Sequence, residues 1–108
     1  MAKLAEEITQ SPAATKSPIY VRILDGFGHV DKEEVTVKPN QEVVWVNDSK
    51  QTADIAFKKE PEGTPFAELF VVHPGKSTPS GLPKDHAIGK KKYKYRVNQN
   101  DPGVIIDK

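Results

Sequence analysis

The chain has 108 residues and a nearly balanced charge, with 16 basic and 15 acidic side chains. A chain of this length forms one domain around one hydrophobic core. The balanced charge gives no reason to expect nucleic acid or an anionic membrane as a partner. Cysteine is absent, which excludes disulfides, cysteine-ligated zinc, iron–sulfur clusters and thiolate-bound copper.

The N-terminal segment, residues 1–17, differs from the rest of the chain. Its sequence SPAATKSP is small, polar and rich in proline, which is typical of a linker. Leu4, Ala5 and Ile8 fit one stripe of a helix that is too short to be stable alone. We therefore expect a flexible arm over residues 1–17 and a folded domain over residues 18–108. No apolar run is long enough to span a membrane.

Short segments of alternating apolar and polar residues predict the strands, and turns rich in Pro, Gly and Asn separate them. Val and Ile far outnumber Leu and Met, which also favours strands. About seven strands at such spacing indicate an all-β sandwich of two sheets. In chain order the strand-bearing segments are IYVRILDG, EEVTVKPN, EVVWVN, ADIAF, ELFVVH, a short edge strand near Lys76–Thr78, KKKYKYRV and VIID.

The alternation also predicts which side chains form the core. EVVWVN is apolar on both faces, as expected of a central strand. Lys92, Lys94 and Arg96 are expected to point to solvent. The side chains predicted to point inward are Val35, Val37, Ala53, Ile55, Tyr93 and Val97, together with the core aromatic residues Trp45, Phe57, Phe70 and Tyr95.

The order of these segments resembles the cupredoxin family, the plastocyanin- and azurin-like copper proteins. EEVTVKPNQEVVWVNDS resembles the second and third strands of that family, VVHPGKSTPSG its Pro-Gly corner, and GKKKYKYRV its G-x-Y-x-Y-x-C strand. The resemblance covers residues 19–107 and implies a Greek-key β-sandwich and an electron-transfer role. It also implies a periplasmic or extracellular location if a signal peptide has been removed.

The copper ligands of that family have no counterpart in this sequence. The family binds copper through two His, one Cys and often a Met. The first His position falls within Ser49–Ala53, the Cys position is Val97, and the second His position falls within Asn98–Asn100. Because blue copper needs a thiolate ligand, we expect no copper site of that type and no cofactor.

The histidines His29, His73 and His86 are weak candidates for a metal site through their imidazole nitrogens. They are far apart in sequence and show no ligand spacing, so we expect ordinary, partly exposed imidazoles. Asp85 and His86 could suggest acid–base chemistry near Ser77 and Ser80. No nucleophile elbow accompanies them, and we expect the protein not to be an enzyme.

Two loop regions are candidates for binding a partner, which we expect to be another protein. The resemblance places function at the end where residues 47–52 and 98–101 meet. The stretch Lys76–Gly89 is longer than a plain connection and is narrowly favoured. The candidate partner-binding residues are Leu82, Lys84, Asp85, His86, Ile88, Asn98 and Asn100.

A basic row on one strand face could receive an acidic partner. The simpler interpretation is a solvated face paired with Glu33, Glu34 or Glu42. Tyr93 and Tyr95 alternate with the row and point inward, which argues against nucleic-acid binding. The row comprises Lys90, Lys92, Lys94 and Arg96.

These observations favour a non-catalytic, metal-free binding module on a cupredoxin-like scaffold. The alternative is a copper-handling or electron-transfer protein of that family, with ligands supplied by histidines or by a partner. A weaker alternative is a carbohydrate- or surface-binding sandwich, because a fold does not fix a function.

Overall fold

The computed structural model describes residues 14–89 and 91–108. In this part of the chain eight strands are present, and one 3-10 turn, Asp85–Ala87, lies between the sixth and the seventh strand. The strands are β1 (Ile19–Ile23), β2 (Glu34–Val37), β3 (Val43–Asn47), β4 (Ala53–Phe57), β5 (Leu69–Val72), β6 (Ser77–Pro79), β7 (Lys91–Val97) and β8 (Gly103–Ile106).

The strands form two sheets, one of three strands in the order β1-β3-β6 and one of five in the order β2-β8-β7-β4-β5. The prediction of an all-β sandwich is confirmed. The short edge strand predicted near Lys76–Thr78 is also confirmed, one residue further along, because Ser77–Pro79 pairs with β3. Two pairings are parallel, β1 with β3 and β2 with β8.

The predicted alternation of inward and outward side chains is visible in the burial of the strand residues. Along β4 and β7 every second side chain is buried, as predicted for Ile55 and Tyr95. All residues of β3 are buried, which fits its place in the middle of the smaller sheet. Lys92, Lys94 and Arg96 are exposed as expected.

A cluster of aromatic rings fills the space between the two sheets. Trp45 on β3 lies against Tyr95 on β7, with ring centroids 5.6 Å apart, and against Phe70 at 5.0 Å. Phe66, which precedes β5 and was not predicted, packs edge-on against Phe57 at 5.6 Å. Burial raises the pKa of Tyr95 to about 12. Its hydroxyl therefore stays protonated, and it accepts a hydrogen bond from Trp45 Nε1 at 3.3 Å.

The strand directions place the connections at two opposite ends of the sandwich. The loop end comprises residues 24–33, 48–52, 73–76 and 98–102, and the base comprises residues 38–42, 58–68 and 80–89. The last residues of the predicted arm reach the base: the Thr15 and Lys16 amides both donate to the Asn40 carbonyl at 3.2 Å. Residues 1–13, including the stripe Leu4–Ile8, lie outside the described residues. Among the described residues, none belongs to a helix with the length and hydropathy needed to cross a bilayer.

Replacing Tyr95 with Phe should destabilise the fold by about 1–3 kcal/mol, because the buried Trp45 N–H loses its acceptor. Urea unfolding followed by the fluorescence of Trp45, the single tryptophan, measures the change. Tyr20→Phe, on the half-buried β1, is the matched control and should change stability by less than about 0.5 kcal/mol. Equal stability of both variants would contradict the assigned hydrogen bond.

Candidate functional site

Asn98 holds three connections of the loop end together. Its Oδ1 accepts a hydrogen bond from the Asp54 amide at 2.9 Å. Its Nδ2 donates to the Gly26 carbonyl at 3.0 Å and to the Thr52 carbonyl at 3.4 Å. Asn98 has a φ of 53°, a left-handed conformation that Asn tolerates better than most residues. One side chain thus connects the β1–β2, β3–β4 and β7–β8 loops.

Asn100 and Gly28 fix the β1–β2 loop against the end of β7. Asn100 Nδ2 donates to the Gly28 carbonyl at 3.1 Å and to the Glu33 carboxylate at 3.0 Å. Gly28 has a φ of 94°, and a Cβ added there would lie 1.7 Å from the Val97 carbonyl oxygen. Such a contact is impossible, so glycine is required where this loop crosses the strand end.

Asn47 organises the β3–β4 loop from inside. Its fully buried side chain donates to the Gln51 carbonyl at 2.7 Å and the Val72 carbonyl at 2.8 Å. Its Oδ1 accepts from the Ser49 amide at 2.9 Å. These bonds fold the loop back on its own strand and attach the end of β3 to the end of β5.

Ala53, Val97 and Asn98, which lie at the implied copper positions, offer no free side-chain ligand for a copper ion. Ala53 and Val97 are fully buried and have no donor atom to offer a metal. The Asn98 amide is already bound to three backbone groups. Among residues 14–89 and 91–108, no group of three His, Cys, Asp or Glu side chains is placed to hold a metal ion.

The three histidines are divided between the two ends of the sandwich. His29 and His73 lie at the loop end, where His29 Nδ1 is 2.7 Å from Asp25 Oδ2 and His73 Nδ1 is 3.5 Å from Thr52 Oγ1. His86 lies at the base, beside Gly63. The weak three-histidine metal candidate is therefore not assembled within one described site.

The predicted partner-binding residues also fall into two separate groups. Asn98 and Asn100 lie at the loop end, and their amides are occupied by the contacts above. Leu82, Lys84, Asp85, His86 and Ile88 lie at the base. Whether either group contacts a partner stays a prediction.

The long stretch after β6 closes the base of the sandwich. Ala87 is buried, and Ile88 packs against the core. The Gly81 amide donates to Glu42 Oε1 at 3.0 Å, and the Lys84 amide donates to the Pro65 carbonyl at 2.8 Å. Leu82 is half-buried, whereas Lys84, Asp85 and His86 are exposed. Much of this loop's length is used in packing.

The loop end presents an exposed apolar surface that the sequence did not predict. Phe27 and Leu24, both in the β1–β2 loop, are 61% and 52% exposed. Asp25 Oδ1 accepts hydrogen bonds from the Phe27 amide at 2.9 Å and the His29 amide at 3.2 Å. This turn holds the Phe27 ring away from the core. An aromatic residue between two glycines, in DGFGH, was the signal that could have indicated it.

A surface cleft of about 340 Å³ lies beside this apolar surface. On one wall Asp48 forms a salt bridge with Arg22, Nη1 to Oδ2, at 3.0 Å. The cleft therefore combines an apolar rim with carboxylate, ammonium, hydroxyl and amide groups. It is lined by Leu24, Asp25, Gly26, Asp48, Ser49, Lys50 and Gln51.

The basic row is paired with acidic side chains at two positions. Lys92 Nζ is 2.7 Å from Glu34 Oε1, as predicted, and the bond lowers the pKa of Glu34. Arg96 Nε is 3.2 Å from Asp101 Oδ1, which lowers the pKa of Asp101. The predicted member Lys90 lies outside the described residues.

Solved structures share this arrangement of strands. A purple cupredoxin from Nitrosopumilus maritimus is similar over 82% of this chain and 98% of its own, with a TM-score of 0.62 and 13% identity. This chain has the cupredoxin fold. A reduced Cu(I) amicyanin mutant is similar over 94% of this cupredoxin-fold chain and 89% of its own, with a TM-score of 0.64 and 15% identity. Amicyanin from Paracoccus versutus is similar over 82% and 80%, with a TM-score of 0.60 and 21% identity. No family model and no curated protein matches the sequence.

Asn98→Gly should destabilise the cupredoxin fold by about 1–2 kcal/mol, because the loop-joining hydrogen bonds are lost while glycine accepts the left-handed backbone. Asn98→Ala should cost about 1 kcal/mol more, since alanine is strained at a positive φ. Thermal and urea unfolding measure both. If Asn98→Gly were as stable as the wild type, the amide would not join the loops.

The Asp25 carboxylate raises the pKa of His29 above 6.5, chiefly through their side-chain hydrogen bond. The same bond lowers the pKa of Asp25 below 3.8. The stabilisation from His29 is complete below its unfolded-state pKa and is lost as pH rises through the raised value. The contribution of Asp25 is present above about 3.8 and is lost as pH falls through the lowered value. The turn formed by Asp25 and His29 is therefore most stable between about pH 3.8 and pH 6.5, the ordinary pKa values of the two side chains.

An NMR titration of His29 should show a pKa above its ordinary value, and Asp25→Asn should lower that pKa towards 6.5. Asp31→Asn removes a carboxylate from the same loop without touching this pair and serves as the control. An unchanged His29 pKa in Asp25→Asn would contradict the assigned pair.

Proposed function

We propose that this chain is a non-catalytic, metal-free binding module that docks another protein through its loop end. The observation that carries the proposal is the exposed Phe27, held outward by the Asp25 turn on a hydrogen-bonded set of loops. Binding residues concentrate on loops that a rigid scaffold positions. An exposed aromatic ring beside a polar cleft is the composition expected of an interface anchor.

Rigidity supports the choice of the loop end. Asn98 and Asn100 fix the β1–β2 loop to its neighbours, so Phe27 and Leu24 are presented on a preorganised surface. A preorganised surface loses little conformational entropy on binding. The base loop favoured by sequence length has its apolar residues Ala87 and Ile88 packed against the core, which leaves fewer of them for a partner.

The chemistry of the implied ligand positions supports a metal-free role. The side chains of Ala53 and Val97 offer no donor atoms, and the Asn98 side-chain amide joins the loops by hydrogen bonds. The alternative role, handling of copper, is favoured by the copper-containing fold neighbours such as the Cu(I) amicyanin. It would require His29, His73 or ligands from a partner.

Copper binding separates these two functions. Added Cu(II) should give no intense visible band, because the chain has no thiolate to donate charge. Calorimetric titration should show weak binding to individual imidazoles. A tight, stoichiometric site that is lost on His29→Ala or His73→Ala would favour the copper-handling alternative.

Photo-cross-linking locates the docking surface in cells of the native host. Replacing Phe27 with p-benzoylphenylalanine should yield a discrete cross-linked product with one protein, identified by mass spectrometry. The same probe at His86 tests the base, and at Thr36 it serves as an exposed control. Products from position 86 without products from position 27 would move the site to the base and contradict the proposal.

A further inference from the structure

Among residues 14–89 and 91–108, the edge of the five-stranded sheet at β5 is the least protected of the sheet edges. β5 is the last strand in the order β2-β8-β7-β4-β5. Its outward side chains Leu69 and Val71 are 60% and 46% exposed. Exposed edge strands pair readily with other strands, and proteins normally block them with Lys, Pro, bulges or covering loops.

The other three edges carry such blocks. The β1 edge is covered by the following loop, where the Asp31 amide donates to the Arg22 carbonyl at 3.0 Å and the Arg22 amide donates to Asp31 Oδ1 at 2.8 Å. β6 has only three residues and contains Pro79. β2 carries the charged Glu34 and is followed directly by Lys38. Within the strand, β5 has the sequence LFVV with neither a charge nor a proline; Glu68 precedes it and Pro74 lies two residues beyond its end.

The register shows that β5 directs backbone groups away from its neighbour. The Phe57 amide donates to the Glu68 carbonyl at 2.9 Å, so Phe57 and Glu68 form a hydrogen-bonded pair. Hydrogen-bonded and non-bonded pairs alternate along an antiparallel ladder. Leu69 and Val71, opposite Ala56 and Asp54, are therefore non-bonded pairs. Their N–H and C=O groups point outward from the sheet.

We propose that a second copy of this chain pairs with this edge, β5 against β5, in antiparallel register centred on Phe70. Leu69 then lies opposite Val71 of the second copy, and the outward groups of both residues are satisfied in two symmetric hydrogen-bonded pairs. A two-fold interface must be self-complementary, and this edge meets that requirement without any shift of register.

The charges near the edge are compatible with this occupant. On the outer face of the paired sheets, one row of side chains crosses the interface. It contains Asp54 and Val71 of one copy, followed by Leu69 and Ala56 of the second copy. No like charges face each other across these rows. The basic side chains of β7 lie two strands away from the edge, and the formal net charge is only +1. Because four-residue strands bury little area, the association is expected to be weak and dependent on concentration.

Sedimentation velocity over rising protein concentration tests the pairing. The wild type should shift from monomer to dimer, and Val71→Lys should weaken association by roughly tenfold or more, because a charge then lies in the seam. Thr36→Lys adds the same charge to the outer face of β2 and should associate like the wild type. Thermal melts establish that both variants fold.

Disulfide trapping tests the register independently of any lysine variant. The chain has no cysteine, so Leu69→Cys and Val71→Cys each carry one thiol. A mixture of these two variants should cross-link faster than either alone, because residues 69 and 71 form a hydrogen-bonded pair with Cα atoms about 5.5 Å apart.

Two results would overturn the proposal. One is a wild type that stays monomeric over the whole concentration range of the sedimentation experiment. The proposal is then wrong even if a segment of another protein binds the edge and Val71→Lys abolishes that binding. The other is a mixture of the two cysteine variants that cross-links no faster than each variant alone. Neither result bears on Phe27, so the proposed docking at the loop end is tested separately.

Discussion

The contact between Trp45 and Tyr95 joins the two sheets, and the rest of the fold depends on it. Trp45 belongs to the three-stranded sheet and Tyr95 to the five-stranded sheet. Ring packing fixes the spacing of the sheets, and the hydrogen bond at 3.3 Å satisfies both buried polar groups. The strand ends at the loop end are positioned by this packing, since β3 and β7 run directly from these two residues to Asn47 and Asn98.

Strands such as β2, β4 and β7 could be predicted from the sequence because one face is buried and the side chains alternate with a period of two. β3, which is buried on both faces, was predicted from its continuous apolar run. Repulsion among the like charges of the basic row predicted a partner among Glu33, Glu34 and Glu42, and the structure shows the pair of Lys92 with Glu34. The resemblance to cupredoxins supplied the Greek-key sandwich of two sheets. The two parallel pairs were not predicted, because periodicity does not specify strand direction. Phe66 was missed because it precedes its strand and enters the core from a connection.

The candidate site was less accessible to sequence reasoning. The exposure of Phe27 depends on a turn formed by the Asp25 side chain. Because aromatic side chains in a small domain are usually part of the core, this exposure was not expected from the sequence. The length of the stretch after β6 suggested a recognition loop. Ala87 and Ile88 of this stretch pack against the core, which only the structure reveals. Whether the stretch also binds a partner stays a prediction. The amides at 98 and 100 were named from the resemblance, but their role in joining loops required the three-dimensional contacts.

The use of side-chain amides to join the loops has a chemical consequence for the environments in which the protein can work. Amides neither titrate in the biological pH range nor change oxidation state. The contacts made by Asn47, Asn98 and Asn100 are thus independent of chelators, of metal supply and of redox potential. A scaffold assembled in this way keeps the geometry of its loops in compartments where a metal-held counterpart would lose its ion.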